Sequence, residues 1–167
     1  NTVVTLIPNL AEFSPFSFVG GGYLEISLNY LLSLVQKSDT RSSAFLSLGQ
    51  LSVAVGKQIE KHLPKIIPLL QDGLSPSSRR GFCIQALKCV SDLAHAAGPA
   101  LKVYMDDLLE QMFANGLSEG LASALSEIGT YIPSFLPLLQ DRVMREISLV
   151  LSGRPYSYPG SEGFDSL

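Results

Sequence analysis

Apolar residues recur along this chain every three or four positions, and almost no segment alternates apolar and polar residues. This spacing places the apolar side chains on one face of an α-helix, because a helix completes a turn every 3.6 residues. One stripe holds Leu24, Leu28, Leu31 and Val35. Equivalent stripes are Ala44, Leu48, Leu51 and Val55; Phe82, Ala86, Val90, Leu93 and Ala97; Leu101, Met105, Leu108 and Met112; Leu121, Leu125, Ile128 and Ile132; and Leu136, Leu139, Val143, Ile147 and Val150. The pattern predicts an all-α fold.

Polar residues, glycines and prolines mark the ends of these helices. We expect Ser38 or Asp39 to cap a helix that opens near Thr40, because their side chains can accept hydrogen bonds from free backbone amides. Similar N-caps are expected at Ser77 or Ser78 before Arg79 and at Ser118 before Glu119. Glycines after apolar runs predict helix ends with positive φ, and the glycines in question are Gly56, Gly73, Gly98, Gly116 and Gly153. Three prolines, Pro64, Pro99 and Pro133, fall in predicted first turns, where a proline loses no hydrogen bond. Pro64 and Pro133 are followed four residues later by Pro68 and Pro137, which predicts an irregular or bent first turn in these two helices.

The helix ends also reveal a period. Helical segments end near Gln36, Gly73, Gly116 and Gly153, at intervals of 37, 43 and 37 residues. The segment His62–Asp72 recurs in closely similar form as Tyr131–Asp141. Two helices in a unit of about 40 residues are typical of a HEAT-type α-solenoid, here with three to four helix pairs. The predicted units within 1–153 are 7–36 (partial), 39–73, 78–116 and 117–153, followed by a linker or tail at 154–167.

Such helix pairs depend on one another for stability. A pair of about 30 residues buries too little apolar surface to offset the conformational entropy of ordering it, so each pair must pack against its neighbours. We expect this stack to be cut from a longer one, so that its end helices expose apolar surface and the isolated chain self-associates to some degree as an artefact.

Composition excludes several classes of protein. The net charge is −3, only 16% of residues are charged, and no long basic run occurs, which argues against nucleic acid as a partner. The longest uncharged runs, such as Ser42–Gly56, are too short for a membrane-spanning helix, and no signal peptide is evident. Cys83 and Cys89 lie six residues apart in a helical pattern, too far for a disulfide, so two reduced thiols and a cytoplasmic location are expected.

One segment matches a catalytic motif in its residues, but the predicted structure around it is not the one that the motif requires. Gly116-Leu117-Ser118-Glu119-Gly120 matches G-x-S-x-G, but a nucleophile elbow needs a preceding strand, and here a helix precedes it. Both histidines, His62 and His95, also lie upstream of the serine. We interpret the motif as a helix–turn–helix connection and keep a serine hydrolase acting through Ser118 as a remote alternative.

Charged clusters and tail tyrosines are the candidate contacts for partner proteins. The charged residues form solvated faces and lack the arrangement of ligands that a metal site needs. We therefore expect no metal, cofactor or catalytic residue. Ser75, Ser77 and Ser78 lie in a polar loop that we interpret as a capping turn, and phosphorylation of these serines is the alternative. The candidate contacts are Lys57, Lys61 and Lys65; Asp106, Asp107 and Glu110; and Tyr156 and Tyr158.

The order of these structural positions resembles a known family. Segments such as 9–13, followed by Pro15 and Phe18, and the run from Ala44 to Val55 are similar to the amino-terminal HEAT region of the target of rapamycin (TOR) kinases. The similarity continues through Leu63-Pro64, Gly98-Pro99, Asp107-Leu108-Leu109, Met112, Gly116-Leu117-Ser118, Ile132-Pro133, Gln140-Asp141 and Ile147-Ser148-Leu149-Val150-Leu151.

This resemblance implies a piece of a very large Ser/Thr kinase whose catalytic domain is not in this chain. In that family the region is a scaffold in a nutrient and growth signalling complex. The implied partners are a Raptor-like subunit, other HEAT segments of the same kinase and a small GTPase. The implied location is cytoplasmic, including internal membranes that are reached through partners. Gly163-Phe164-Asp165 reverses the kinase D-F-G order, so no catalytic residue is carried over.

Two alternatives to the kinase scaffold stay open besides the hydrolase. A generic HEAT or armadillo adaptor, such as a transport receptor, would share the repeat pattern. Peptide-binding armadillo grooves use Trp and Asn ladders, but this chain has no Trp. An α-helical lipid carrier is compatible with the low charge.

Overall fold

The computed structural model describes residues 2–78 and 81–153, and within them the chain is helical throughout, without strands. Short 3₁₀ segments, Gly56–His62, Gly98–Tyr104 and Pro133–Phe135, precede three of the α-helices. The α-helices are α1 (Thr2–Phe13), α2 (Pro15–Gly20), α3 (Tyr23–Val35), α4 (Arg41–Val55), α5 (Leu63–Leu74), α6 (Ile84–Ala97), α7 (Met105–Phe113), α8 (Glu119–Tyr131) and α9 (Leu136–Leu151). The all-α prediction is confirmed.

The helices form two layers. In the first layer α1, α4, α6 and α8 lie side by side, each packed extensively against the next. The second layer contains α3, α5 and α7 in the same order, and α9 ends it. Each first-layer helix is followed by its second-layer partner, so the chain advances pair by pair, as a HEAT-type solenoid does.

Hydrogen bonds between neighbouring pairs repeat with the period of the sequence. Lys65 donates to Glu25 across 40 residues, Lys88 donates to Glu127 across 39, and Asn115 donates to the Leu74 carbonyl across 41. The stacking of successive pairs predicted from the 40-residue period is thus present in space. The unit limits 7–36, 39–73, 78–116 and 117–153 stay predictions.

A buried arginine ties one pair to the next. Arg41, the first residue of α4, is only 4% exposed, and its Nη2 lies 2.8 Å from the Asp72 Oδ2 on α5. Its Nη1 donates to the carbonyl of Gly81, on the segment that leads into α6, at 3.0 Å. The guanidinium also lies 5.9 Å from the centroid of the fully buried Phe45 ring. One side chain therefore joins α4, α5 and the start of the next pair.

Four of the five glycines predicted to have positive φ do so: Gly56, Gly98, Gly116 and Gly153. The prediction for Gly73 is wrong, because Gly73 lies inside α5 without positive φ. A Cβ there would come within 2.6 Å of the Phe45 Cζ. The residue is small because α4 approaches α5 closely, and not because a helix ends there.

The start of α6 also differs from the prediction of a helix opening at Arg79. The helix begins at Ile84, after Cys83 in extended backbone. The amide of Cys83 donates to the Gly73 carbonyl at 2.8 Å, so a tertiary hydrogen bond holds this segment along the end of α5.

The irregular start expected near Pro133 is confirmed, since the 3₁₀ segment Pro133–Phe135 lies there. Pro64 instead lies in the first turn of α5, directly after the 3₁₀ segment Gly56–His62.

Candidate interaction surfaces

The acidic cluster lies on the exposed side of α7. Asp106 and Asp107 occupy the first turn, where the helix dipole favours negative charge, and Glu110 lies one turn later. All three side chains are exposed, while Met105 before them and Leu108 between them are buried. The apolar stripe of α7 therefore faces the core and presents the carboxylates to solvent.

Two open grooves flank this cluster. Asp107 and Glu110 line a groove of about 430 Å³ with Asp72 and Ser78 from α5 and the loop that follows it. Asp106 and Glu110 line a second groove, of about 290 Å³, with Arg142 of α9. The acidic side chains therefore border open depressions on both sides of α7.

The three lysines lie one pair earlier. Lys57 and Lys61 are exposed in the 3₁₀ segment before α5, and Lys65 is exposed in the first turn of α5. The Nζ of Lys65 lies 3.3 Å from the Glu25 Oε1 on α3, and both side chains are more than half exposed. Lys65 thus bridges neighbouring pairs, while Lys57 and Lys61 extend the basic surface.

A buried histidine lies beneath these lysines. His62 is 5% exposed, and its Nε2 has no hydrogen-bond partner among the described residues. Burial lowers the pKa of His62 below its ordinary value of 6.5; Lys61 and Lys65 lower it further, and Glu25 opposes them. Burial therefore disfavours the charged form of the imidazole.

The first layer carries a polar network that sequence reasoning missed. Lys88 Nζ donates to the Asp92 Oδ1 at 2.8 Å and to the Glu127 Oε2 at 2.9 Å, which joins α6 to α8. Burial lowers the pKa of Lys88, but the hydrogen bonds to both carboxylates outweigh it and raise the pKa. The hydrogen bond from Lys88 in turn lowers the pKa of Glu127. The feature of the sequence that could have predicted this contact is the spacing of Lys88 and Glu127, which lie about one repeat apart.

A stacked ring pair lies on the same two helices. The His95 and Tyr131 rings have centroids 4.2 Å apart and planes 13° from parallel. His95 is on α6 and Tyr131 ends α8, so this contact also joins neighbouring pairs.

The cysteines and Ser118 have structural roles. Cys83 and Cys89 are both free and buried, as expected, and burial raises the pKa of the Cys89 thiol. The Ser118 hydroxyl accepts from the Leu121 amide at 3.1 Å, so the predicted N-cap of α8 is confirmed. Within 2–78 and 81–153, no group of three His, Cys, Asp or Glu side chains is arranged to hold a metal ion.

Both ends of the stack expose apolar side chains, as expected from the sequence. On α1, the outward stripe consists of Val3, Leu6, Leu10 and Phe13. At the other end, an apolar groove of about 450 Å³ opens between α8 and α9. Phe13 and Phe16 are 93% and 94% exposed, so neither fills the first helix pair.

The candidate contacts of the tail, Tyr156 and Tyr158, lie outside the described residues. None of the described helices combines the length and apolar character that crossing a membrane requires.

Several known proteins are similar to this chain in sequence. The family described as importin subunit beta-1-like, TPR repeats, matches residues 17–128. The serine/threonine-protein kinase TOR of Arabidopsis thaliana is 36% identical over 156 residues, which cover 93% of this chain and 6% of that protein. The TOR of Oryza sativa subsp. japonica is 38% identical over 90% of this chain, and tor1 of Schizosaccharomyces pombe is 30% identical over 92%. The chain spans only 6–7% of the length of these relatives, in their N-terminal HEAT-like region.

Proposed function

This chain belongs to the family of importin subunit beta-1-like TPR repeats, and we propose on that premise that it is a non-catalytic scaffold for protein–protein interaction. The observation that carries the proposal is the two-layer stack itself, with open grooves along its second layer. Stacked helix pairs present extended surfaces on which several partners can bind side by side.

The similarity to TOR kinases supports a more specific role. We propose that the chain forms part of the solenoid of a TOR-type kinase that organises a nutrient and growth signalling complex in the cytoplasm. Its partners would be a Raptor-like subunit, other HEAT segments of the same kinase and a small GTPase, with internal membranes reached through these partners. Catalysis would reside elsewhere in the kinase.

The charged surfaces on the second layer are the proposed contact sites. The carboxylates of Asp106, Asp107 and Glu110 border two grooves, and the exposed Lys57 and Lys61 lie one pair earlier. A surface of alternating charge fixes the register of a partner more than it adds affinity. Tyr156 and Tyr158 of the tail are the remaining proposed contacts.

A binding titration with a Raptor-like subunit tests this assignment. The triple variant Asp106→Asn, Asp107→Asn, Glu110→Gln removes the acidic cluster without changing side-chain shape. We expect at least a tenfold rise in Kd, roughly the loss of 1.4 kcal/mol, and a weaker dependence on salt.

A matched triple variant, Glu12→Gln, Glu119→Gln, Asp141→Asn, removes the same charge from other exposed positions. It should bind as the parent chain does. If the two triple variants bind equally well, or if the parent chain does not bind at all, the proposed contact site is wrong.

Two activity measurements test the non-catalytic part. Incubating the chain with ATP and protein substrates should give no phosphate transfer, and a fluorophosphonate probe should leave Ser118 unlabelled. Transfer above a no-protein blank, or labelling that Ser118→Ala abolishes, would contradict the scaffold role.

A transport-type adaptor is the second candidate function, favoured by the importin description of the matched family. It predicts tight binding of a basic signal peptide, for which the acidic cluster is the chemically suited surface. Titration of such a peptide separates the two functions, because the kinase-scaffold proposal expects no saturable binding.

A further inference from the structure

The loop that leaves α5 begins with a serine followed by a proline. Ser75 is the first residue after α5, and its backbone is extended, with φ −70° and ψ 123°, because the ring of Pro76 disfavours the helical conformation in the residue before it. The Ser75 side chain lines the open groove of about 430 Å³ beside the acidic cluster of α7. A serine in extended backbone directly before a proline is the substrate that proline-directed protein kinases recognise.

The sequence contains a second serine before a proline, Ser14, but its surroundings differ. Ser14 is the one residue between α1 and α2, so helices lie directly on both sides of it. Ser75 instead opens a connection that runs from 75 to 83, before α6 begins. A kinase binds its substrate as an extended segment of several residues, and loops supply such segments more readily than helices do. Of the two serines, Ser75 therefore has the context that a kinase requires.

The three residues before Ser75 each accept a hydrogen bond from another part of the stack. The donors belong to α4, to the segment that leads into α6 and to the turn that follows α7. The three bonds are those from Arg41 to Asp72, from the Cys83 amide to the Gly73 carbonyl, and from the Asn115 side chain to the Leu74 carbonyl. A group added to Ser75 would therefore lie directly beside the junction of two helix pairs.

A phosphate on Ser75 would meet negative surroundings. The Ser75 amide donates to the Gln71 carbonyl at 2.9 Å, so the residue closes the carboxyl end of α5, where the helix dipole is negative. The carboxylates of Asp107 and Glu110 line the same groove as Ser75. A phosphoserine carries a charge of about −1.5 to −2 at pH 7, and beside a helix carboxyl end or acidic side chains it disrupts local structure by repulsion.

We propose that Ser75 is a phosphorylation site for a proline-directed Ser/Thr kinase, and that its phosphate loosens the junction between the pair α4–α5 and the pair α6–α7. In the transfer, the Ser75 hydroxyl oxygen attacks the γ-phosphorus of ATP, the bond from that phosphorus to the β–γ bridging oxygen breaks, and ADP leaves. The hydroxyl proton passes to a carboxylate of the modifying kinase. The proposal rests on this loop and its contacts and is independent of the proposed scaffold role.

Phosphorylation of the purified chain tests the first part of the proposal. The chain is incubated with ATP and an active mitogen-activated protein kinase, which is proline-directed, and the modified residues are located by peptide mass spectrometry. One phosphate per chain is expected, on Ser75, and none in Ser75→Ala or in a sample without the added kinase. The matched variant Ser14→Ala should be phosphorylated as the parent chain is. The absence of phosphate from Ser75, or an equal extent of phosphorylation at Ser14, would overturn the proposal.

Hydrogen exchange of the phosphorylated chain tests the second part. The amide of Cys83 reports on the junction, because it donates to the Gly73 carbonyl. In the phosphorylated chain this amide should exchange about tenfold faster than in the unmodified chain, whereas the amides of α8, in the next pair, should exchange as before. Raising the salt concentration to about 1 M, where charges are screened beyond about 3 Å, should remove most of the difference.

Three exchange results would overturn the loosening of the junction. They are an unchanged or slower exchange of the Cys83 amide after phosphorylation, an acceleration that persists in full at high salt, and an equal acceleration in Ser75→Ala treated with the same kinase.

Discussion

The centre and the carboxyl end of the stack carry similar apolar stripes but bury them to different degrees. In α4, nine of 15 residues are buried, including the polar Arg41, Ser47 and Ser52. In α9, which has 16 residues, only Leu139 and Glu146 are buried, although Ile147 and Val150 continue the stripe. The difference arises from neighbours, because α4 lies between α1 and α6, whereas the main contacts of α9 within 2–78 and 81–153 are with α8 and the 3₁₀ segment Pro133–Phe135. In a solenoid the apolar stripe of a helix determines which face is turned inward, but the neighbouring helix pairs determine how much of that face is buried.

The largest expected effect comes from the central core. Phe45 of α4 is fully buried and lies close to Gly73 of α5, so Phe45→Ala should lower the free energy of unfolding by about 3–5 kcal/mol. Phe13→Ala, at a 93% exposed position, is the matched control and should change it by less than about 0.5 kcal/mol. Urea denaturation measures both. Equal losses would contradict the contrast between centre and end.

A smaller loss is expected from the buried arginine. Arg41→Ala removes the donors to Asp72 and to the Gly81 carbonyl and should cost about 3 kcal/mol. Lys65→Ala breaks an ion pair whose members are both more than half exposed, so the expected loss is below about 1 kcal/mol. Thermal denaturation of the two variants compares them. A larger loss for Lys65→Ala would show that the surface pairs, and not the buried clamp, join the repeats.

The close approach of α4 to α5 gives a third test. In Gly73→Ala the new methyl would lie 2.6 Å from the Phe45 Cζ and 3.1 Å from the Ala86 Cβ. Overpacking of this kind should cost about 2 kcal/mol. Gly20→Ala in α2 meets no atom within 4 Å and should be neutral or stabilising by up to about 1 kcal/mol, measured by urea denaturation. A stabilising Gly73→Ala would mean that the core has more room than these distances indicate.

The smallest expected effect is a pH dependence at His62. Its pKa is lowered in the folded state, so below about pH 6.5 the unfolded chain binds more protons and stability falls as the pH falls. In His62→Gln, stability should fall less steeply than in the parent chain between about pH 7.5 and 5.5. Urea denaturation across this range gives the two slopes, and the two proteins are compared first at the upper pH, where the histidine is neutral in both states. Parallel slopes would mean that His62 is solvated in the folded protein.

Local periodicity predicted most of the helices, because a helix depends on residues close in sequence, and the repeat period of about 40 residues predicted their stacking. It could not predict the start of α6, since the hydrogen bond from Cys83 to Gly73 is tertiary. It misread Gly73 because the need for a small residue comes from Phe45 on another helix.

The polar bridges between pairs were missed for a related reason. Lys88 and Glu127 can be matched only when the register of α6 against α8 is known. The charged clusters, in contrast, could be placed on exposed faces from the stripes alone, as the exposed Asp106 and Lys61 illustrate.

Hydrogen exchange of the chain, read helix by helix by mass spectrometry, tests most directly that each pair is stabilised by its neighbours. Amides in α4 and α6, packed on both sides, should exchange slowest, and amides in α9 should exchange fastest among the long helices. Uniform protection across all helices, or strongest protection in α9, would contradict stabilisation by neighbouring pairs.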